Sequence, residues 1–214
     1  MTGDTSIVAV LSGDLIGSSE APPKETSIAI NRILATTAKI ETWDGNGPTY
    51  FTRMRGDGWQ IVISNPTYAL RAALKVFANQ ISAKESGYLQ TRIAIGLGTM
   101  NAFDGADLSS ASGSAFEASG RTLDAMTRSD RFAIAGSGVS PLHQAVVELT
   151  EEQIGRWTPE QAEAAAYYLS PSDPTLKDIA GELGISTQAV HSRIRGAGAQ
   201  ALRNVVEHWE DTPC

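Results

Sequence analysis

The pattern of apolar positions changes repeatedly between strand-like and helix-like along the first part of the chain. Residues 7–11 form a continuous apolar run, which is typical of a buried strand. Apolar residues between 28 and 40 recur at close to helical spacing, after a proline pair that suits a helix start. Two β-rich runs follow at 50–54 and 59–63, and the Arg-Gly-Asp-Gly segment between them predicts a hairpin.

The alternation continues to residue 136. The pattern predicts a helix from Pro66 to residue 81, a strand over 91–98, a small polar loop over 99–114, a helix over 115–126 and a short strand over 131–136. The order βαββαβ, followed by one more helix and strand, predicts an α+β fold of the ferredoxin-like type. We expect its sheet to be mixed or antiparallel rather than doubly wound.

After residue 141 the pattern becomes entirely helical. The helical spacing is interrupted at residues 170–174 and 183–186, both of which are rich in turn-forming residues. We place a boundary between Leu149 and Thr158. It divides the chain into an α+β domain over 1–150 and an all-α domain over 151–214.

Residues 175–194 carry the spacing of a helix-turn-helix. Two helices that cross steeply over a short turn need a small residue early, here Ala180, and a residue that tolerates positive φ at the turn, here Gly184. Ser186 suits the N-cap of the second helix, while Val190 and Ile194 are placed to pack against the first.

The second of these helices predicts a DNA-reading surface. Glutamine can pair with adenine and arginine with guanine in the major groove, and Ser or Thr can bond bases or phosphates. The residues expected to face the groove are Thr187, Gln188, His191, Ser192 and Arg195, with Arg193 and Arg203 as phosphate contacts. The alternative is a helical packing module without a DNA role.

Charge limits how strongly this surface can bind. The chain has 214 residues, 42% of them hydrophobic, and a net charge of −7, so it is not a general polyanion binder. Residues 158–214 contain four Lys or Arg against eight Asp or Glu. We therefore expect weak, salt-sensitive DNA binding unless a homodimer doubles the contacts.

The cysteine and hydropathy patterns bear on the compartment. The only cysteine is Cys214, which is typical of a reducing compartment. The N-terminal residues lack a secretory signal pattern, and no apolar run approaches the roughly 20 residues of a membrane span. We expect a soluble cytoplasmic protein with no membrane partner.

Two aspartates each follow a glycine beside a strand-like run. Taken singly, Asp14 is most simply a cap for the following helix and Asp57 a hairpin-turn residue. In a βαββαβ sheet, however, the first strand pairs with the central hairpin and brings the two together. Neighbouring carboxylates repel unless a cation lies between them, so the pair predicts a Mg²⁺ or Mn²⁺ site that could carry a nucleotide phosphate.

Five segments resemble a known family. "GDLIGS", "RGDGWQIVIS", "RIAIGLG" and "GSAFEASGR" occur in the order and spacing of the SatD family and, more distantly, of the class III nucleotidyl cyclase fold. "WTPEQAE", leading into the helix-turn-helix pattern, is also similar to SatD-like chains. The resemblance covers nearly the whole chain, and implies a cyclase-like sheet domain followed by a DNA-binding domain.

The resemblance also implies residue roles. Asp14 and Asp57 correspond to the metal-binding aspartates, and the backbone carbonyl of Leu15 to a further ligand. Arg53 stands where cyclases often have a base-selecting lysine, and Arg121 matches their transition-state arginine. Glu117 replaces the asparagine that accompanies that arginine, and a carboxylate beside a triphosphate opposes phosphoryl transfer.

These features favour a DNA-binding regulator rather than an enzyme. The cyclase-like domain would dimerise or sense a nucleotide effector, with no catalytic residue assigned. One alternative is a metal-dependent enzyme acting on nucleoside triphosphates through Asp14 and Asp57. A second alternative is a dimerisation scaffold without DNA or nucleotide activity.

Overall fold

The computed structural model describes residues 6–83, 89–101 and 108–212. Its strands are β1 (Ser6–Leu15), β2 (Thr49–Arg53), β3 (Trp59–Ile63), β4 (Thr91–Met100) and β5 (Phe132–Gly136). They form one sheet of order β2-β3-β1-β4-β5, in which β4 and β5 are parallel and all other neighbours are antiparallel. The sheet is therefore mixed, and the α+β class predicted from the sequence is confirmed.

Eight α-helices accompany the sheet within the described part of the chain. They are α1 (Pro23–Glu41), α2 (Ala69–Ile81), α3 (Ser114–Ala125), α4 (Pro141–Ile154), α5 (Pro159–Tyr168), α6 (Leu176–Leu183), α7 (Thr187–Gly196) and α8 (Ala199–Glu210). Short 3-10 turns lie at Pro66–Tyr68 and Leu108–Ser110. Among the described residues, no helix combines the length and apolar character that crossing a bilayer requires.

Two strands extend beyond their predicted ends. β1 continues through Asp14 to Leu15, because both residues keep a backbone partner on β4. β4 in turn continues to Met100, inside the segment predicted as the loop over 99–114. Part of that predicted loop, residues 102–107, lies outside the described residues. These strand ends are set by backbone pairing between β1 and β4, which the apolar character of the local sequence does not indicate.

The two faces of the sheet pack against different helices. Leu11, Leu15 and the alternate residues of the other strands face α1 and α2, where most of the buried apolar side chains lie. On the opposite face, α3 packs against β4 at two glycines. A Cβ on Gly96 would lie 2.3 Å from the carbonyl oxygen of Ala115, so only glycine allows this close approach.

The C-terminal helices pack directly on the sheet domain. α4 contacts β5, α5 contacts α2, and the buried apolar cluster continues from the sheet through α2 into α5–α8. Arg71 and Lys75, one turn apart on α2, donate hydrogen bonds to the carbonyls of Leu169 and Ala166 at the end of α5. Such donors satisfy carbonyls that a helix end leaves unpaired. The predicted boundary between Leu149 and Thr158 falls at the end of α4 and the link to α5, and the division of the chain into two domains there stays a prediction.

Candidate functional site

Asp14 lies near the end of β1, on the same face of the sheet as α3. Its carboxylate receives hydrogen bonds from two nitrogens of Arg92, the directly opposite residue on β4, with Nε at 2.9 Å from Oδ1. Thr91 holds the backbone here, because its hydroxyl donates to the Asp14 carbonyl at 2.7 Å. The predicted metal ligand is thus half-buried and paired with a guanidinium.

Arg92 is a site residue that the sequence reasoning did not single out. Its Nη1 also donates to the carbonyls of Met126 (2.7 Å) and Thr127 (3.2 Å), just after α3. The hydrogen bond that Arg92 donates to Asp14 is the main cause that raises the pKa of Arg92, and the charges of Asp14, Asp130 and Asp57 add to it. Arg92 stands inside the quoted "RIAIGLG" motif, but only the β1–β4 register shows that it meets Asp14.

Asp57 lies at the tip of the β2–β3 hairpin, between Gly56 and Gly58. Gly56 has φ of 75°, as the tight turn requires, and the amide of Met54 donates to the Gly58 carbonyl at 2.8 Å. The half-buried carboxylate of Asp57 accepts a hydrogen bond from the hydroxyl of Ser18, in the turn after β1. The hairpin predicted from Arg-Gly-Asp-Gly is confirmed, and its tip touches the segment that follows Asp14.

A buried polar network continues from this edge along the same face. Ser12, 2% exposed, lies 2.8 Å from the hydroxyl of Ser119 on α3 and accepts a hydrogen bond of 3.0 Å from the Gln60 amide. All of these polar groups therefore have partners, and α3 is tied to the sheet by hydrogen bonds as well as by packing.

A divalent ion would compete with Arg92 for Asp14. Both oxygens of that carboxylate are engaged, and the described residues contain no group of three or more His, Cys, Asp or Glu side chains suited to a metal. Leu15, the predicted carbonyl ligand, is a buried residue paired with Thr91 in the ladder. Binding of Mg²⁺ or Mn²⁺ by Asp14, Asp57 and Leu15 stays a prediction.

The two predicted nucleotide-binding arginines lie on the surface. Arg53 donates to the carbonyl of Gly56 at 3.1 Å, bracing the hairpin from outside. Arg121 is 77% exposed and 3.5 Å from Glu117, four residues earlier on α3. This is the local pairing of a surface helix, and such exposed pairs are weak. Neither contact tests the nucleotide role.

α6 and α7 meet at a three-residue turn. Gly184 ends α6 in the left-handed region with φ of 65°, and the side chain of Ser186 accepts from the Ala189 amide at 3.2 Å to begin α7. Val190 and Ile194 on α7 are buried, as expected for the packed side of this helix. Gly184 thus has the positive φ, and Ser186 the N-cap position, that the sequence predicted for them.

The other side of α7 is open to solvent. Its exposed residues are Gly196 and the five predicted to face the major groove, Thr187, Gln188, His191, Ser192 and Arg195. The two predicted phosphate contacts are placed differently. Arg193 is half-buried and lies 3.0 Å from Glu163 on α5. Arg203 is 13% exposed, pairs with Asp173, donates to the Tyr168 carbonyl and stacks 3.6 Å from the centre of that tyrosine ring.

Comparison with known proteins adds little to this geometry. No protein-family model and no curated protein sequence matches the chain. Among solved structures, the chain is similar to a bacterial light-regulated adenylyl cyclase, with 14% sequence identity and a TM-score of 0.40. The match covers 63% of this chain and 44% of that chain, so it spans less than half of the cyclase.

Proposed function

We propose that this protein is a DNA-binding regulator in which α6 and α7 form a helix-turn-helix and α7 reads the major groove. The observation that carries the proposal is the exposed polar face of α7. Five residues with base- or phosphate-bonding side chains share that face, directly after a capped turn. Apolar residues of the same helix are buried against α5 and α6, so its orientation is fixed by packing.

Local charge supports the same surface despite the acidic chain. α7 contains two arginines and no acidic residue, and Arg195 has no carboxylate ion-pair partner among the described residues. Arg193 is partly neutralised by Glu163, and Arg203 by Asp173. The proposed phosphate and base contacts are therefore centred on Arg195 and the N-terminal half of α7, and Arg203 is assigned to packing instead.

The sheet domain is proposed to sense an effector or to join two copies, in the manner that the SatD and cyclase resemblance implies. The pairing of Asp14 with Arg92 supports a domain that does not catalyse phosphoryl transfer, because both oxygens of that carboxylate are already engaged. A homodimer would double the DNA contacts of a weakly charged module. In this proposal a nucleotide remains a candidate effector.

Direct binding to genomic DNA fragments at low salt tests the proposal. We expect a fragment to be retarded, and Gln188→Ala to weaken binding to it by about 1–3 kcal/mol with little effect on random DNA. Arg195→Gln should flatten the salt dependence by about one unit. Gln144→Ala, the same chemical change on the exposed face of α4, is the matched control and should change neither.

Comparing Arg203→Ala with Arg195→Gln distinguishes DNA contact by α7 from a general effect of surface charge. Because its side chain is largely buried, Arg203→Ala should lower the melting temperature as well as DNA binding, whereas Arg195→Gln should leave the melting temperature unchanged. If no fragment is retarded, with or without nucleotide and Mn²⁺, the DNA-binding proposal fails and the scaffold interpretation replaces it.

A metal-dependent enzyme is the second candidate, since Asp57 lies near enough to raise the pKa of Arg92 while Asp14 pairs with it. If Arg92 blocks a metal site, Arg92→Gln should increase the rise in melting temperature caused by Mn²⁺, and adding Asp57→Asn should remove that increase. Cyclic nucleotide formed from ATP or GTP by the unaltered protein would establish that it is an enzyme.

A further inference from the structure

A cavity of about 760 Å³ lies where the sheet domain meets the C-terminal helices. On one side are the end of α1 and the partly buried Lys75 of α2, with Lys39 and Trp43. On the other side are the end of α5 and the start of α6, with Tyr167 and Ile179. We call this space the junction cavity. Its volume is within the range of about 300–1,000 Å³ typical of small-molecule sites, which often lie at such junctions.

Two ammonium groups line the junction cavity, and neither is in direct contact with a carboxylate among the described residues. Lys75 donates to the Ala166 carbonyl and lies 5.4 Å from the centre of the Tyr167 ring. Among the described residues, neither Lys75 nor Lys39 forms an ion pair with a carboxylate. Burial lowers the pKa of Lys75 to about 8, with repulsion from Lys39 as a second cause. An anion between two such groups would relieve the repulsion.

Other lining residues restrict the charge of that anion. Asp44, Asp178 and Glu182 also line the cavity, and of these Asp178 is held by the amide (2.9 Å) and hydroxyl (2.6 Å) of Thr175. Three carboxylates disfavour a polyphosphate, because like charges would face each other across a small space. A single negative charge directed at the two lysines is the arrangement that these residues favour.

Aromatic residues restrict the rest of the ligand. Trp43 and Tyr68 meet edge to face at 5.5 Å, and both line the junction cavity together with Tyr167. Aromatic side chains offer large apolar surfaces to a planar group. We propose that the junction cavity binds a small aromatic carboxylate, whose carboxylate contacts Lys39 and Lys75 and whose ring packs among the aromatic side chains.

The position of the cavity gives such a ligand a route to α6. Ile179 and Glu182 belong to α6, and residues 170–172 and Pro174 connect α5 to it. A ligand seated here would contact both the sheet domain and the first helix of the proposed DNA-binding unit. The regulatory part of this inference rests on the proposed function, because a ligand alters DNA binding only by favouring one arrangement of the two parts.

Calorimetric titration of the whole chain at pH 7 tests the site, with benzoate, acetate and inorganic phosphate as probes. We expect saturable binding of benzoate, with acetate and phosphate at least tenfold weaker. Lys39→Gln should weaken benzoate binding at least fivefold without affecting folding, because Lys39 is exposed. Lys75→Met should weaken it further. Lys24→Gln, at the opposite end of α1, is the matched control and should leave binding unchanged.

Three outcomes would overturn the site. If benzoate does not bind, or binds equally well to Lys39→Gln, the two lysines are not the groups that bind its carboxylate. Phosphate that binds more tightly than benzoate rejects the ligand class. DNA binding is then measured with and without benzoate. A site that binds benzoate in a protein that never binds DNA rejects the proposed function but keeps the carboxylate site, whereas DNA binding that ignores bound benzoate rejects only its regulatory role.

Discussion

Lys75 shows at the scale of a single residue how burial makes a charge respond to pH. Its pKa is lowered to about 8 in the folded protein, first by burial and then by Lys39, from 10.5 for an ordinary lysine. Between pH 8 and 10.5 the unfolded chain therefore binds the proton that the folded chain releases. Below pH 8 the charged lysine lowers the unfolding free energy by its full amount, and this loss disappears as the pH rises from 8 to 10.5.

The expected rise of the unfolding free energy with pH gives a measurable prediction. Relative to Lys75→Met, which has no proton to exchange, the unaltered protein should gain about 1–2 kcal/mol of unfolding free energy between pH 7.5 and 10, since solvent reaches part of the lysine. Urea unfolding of both proteins at several pH values measures the difference, in which the contributions of the other titrating groups cancel. Parallel curves would show that Lys75 is no harder to charge in the folded state.

Single residues of the site were only partly predictable. Asp14, Asp57 and the exposed residues of α7 could be proposed from local pattern, because glycine turns and helical spacing are short-range signals. The pairs Asp14–Arg92 and Arg203–Asp173 could not. They join residues 78 and 30 positions apart, and depend on strand register and helix packing. The two lysines of the junction cavity were missed for the same reason.

At the scale of an element, α3 packs closely against β4 because the glycines of β4 at the contact have no side chain. A Cβ on Gly96 would lie 2.3 Å from the Ala115 carbonyl and 2.5 Å from the Ser119 amide nitrogen, both backbone atoms that cannot rotate away. Gly96→Ala should therefore push α3 off the sheet and lower the unfolding free energy by about 1–3 kcal/mol. Chemical denaturation measures the loss.

Gly120, on α3 itself, is the matched control. A Cβ there meets nothing within 4 Å, so Gly120→Ala should stabilise the protein by about 0.5–1 kcal/mol by restricting the unfolded chain. A loss at Gly120, or no loss at Gly96, would contradict the close packing of α3 on β4. The sequence predicted both elements from their periodicity, but their contact through glycine is a tertiary feature that periodicity does not contain.

At the scale of the whole molecule, α2 connects the sheet to the C-terminal helices. Arg71 is 4% exposed, and its guanidinium lies 2.5 and 2.7 Å from the two carboxylate oxygens of Glu210 on α8, and 2.7 Å from the carbonyl of Leu169. The sequence separates the two partners by 139 positions, so no local pattern indicates the pair. The pair therefore joins the end of α8 to α2.

Glu210→Gln removes the charge that neutralises a buried guanidinium and should cost about 3 kcal/mol of unfolding free energy, as for other buried pairs that lose one partner. Glu152→Gln is the control, because its pair with Arg156 is about 70% exposed on both sides and should contribute at most about 0.5 kcal/mol.

Hydrogen exchange separates two explanations of the loss. If Arg71–Glu210 joins the two parts, exchange in α8 should accelerate more than exchange in β1 and β4. Equal acceleration everywhere would mean that the pair contributes only to global stability, and that the C-terminal helices respond to the sheet domain through the apolar core alone.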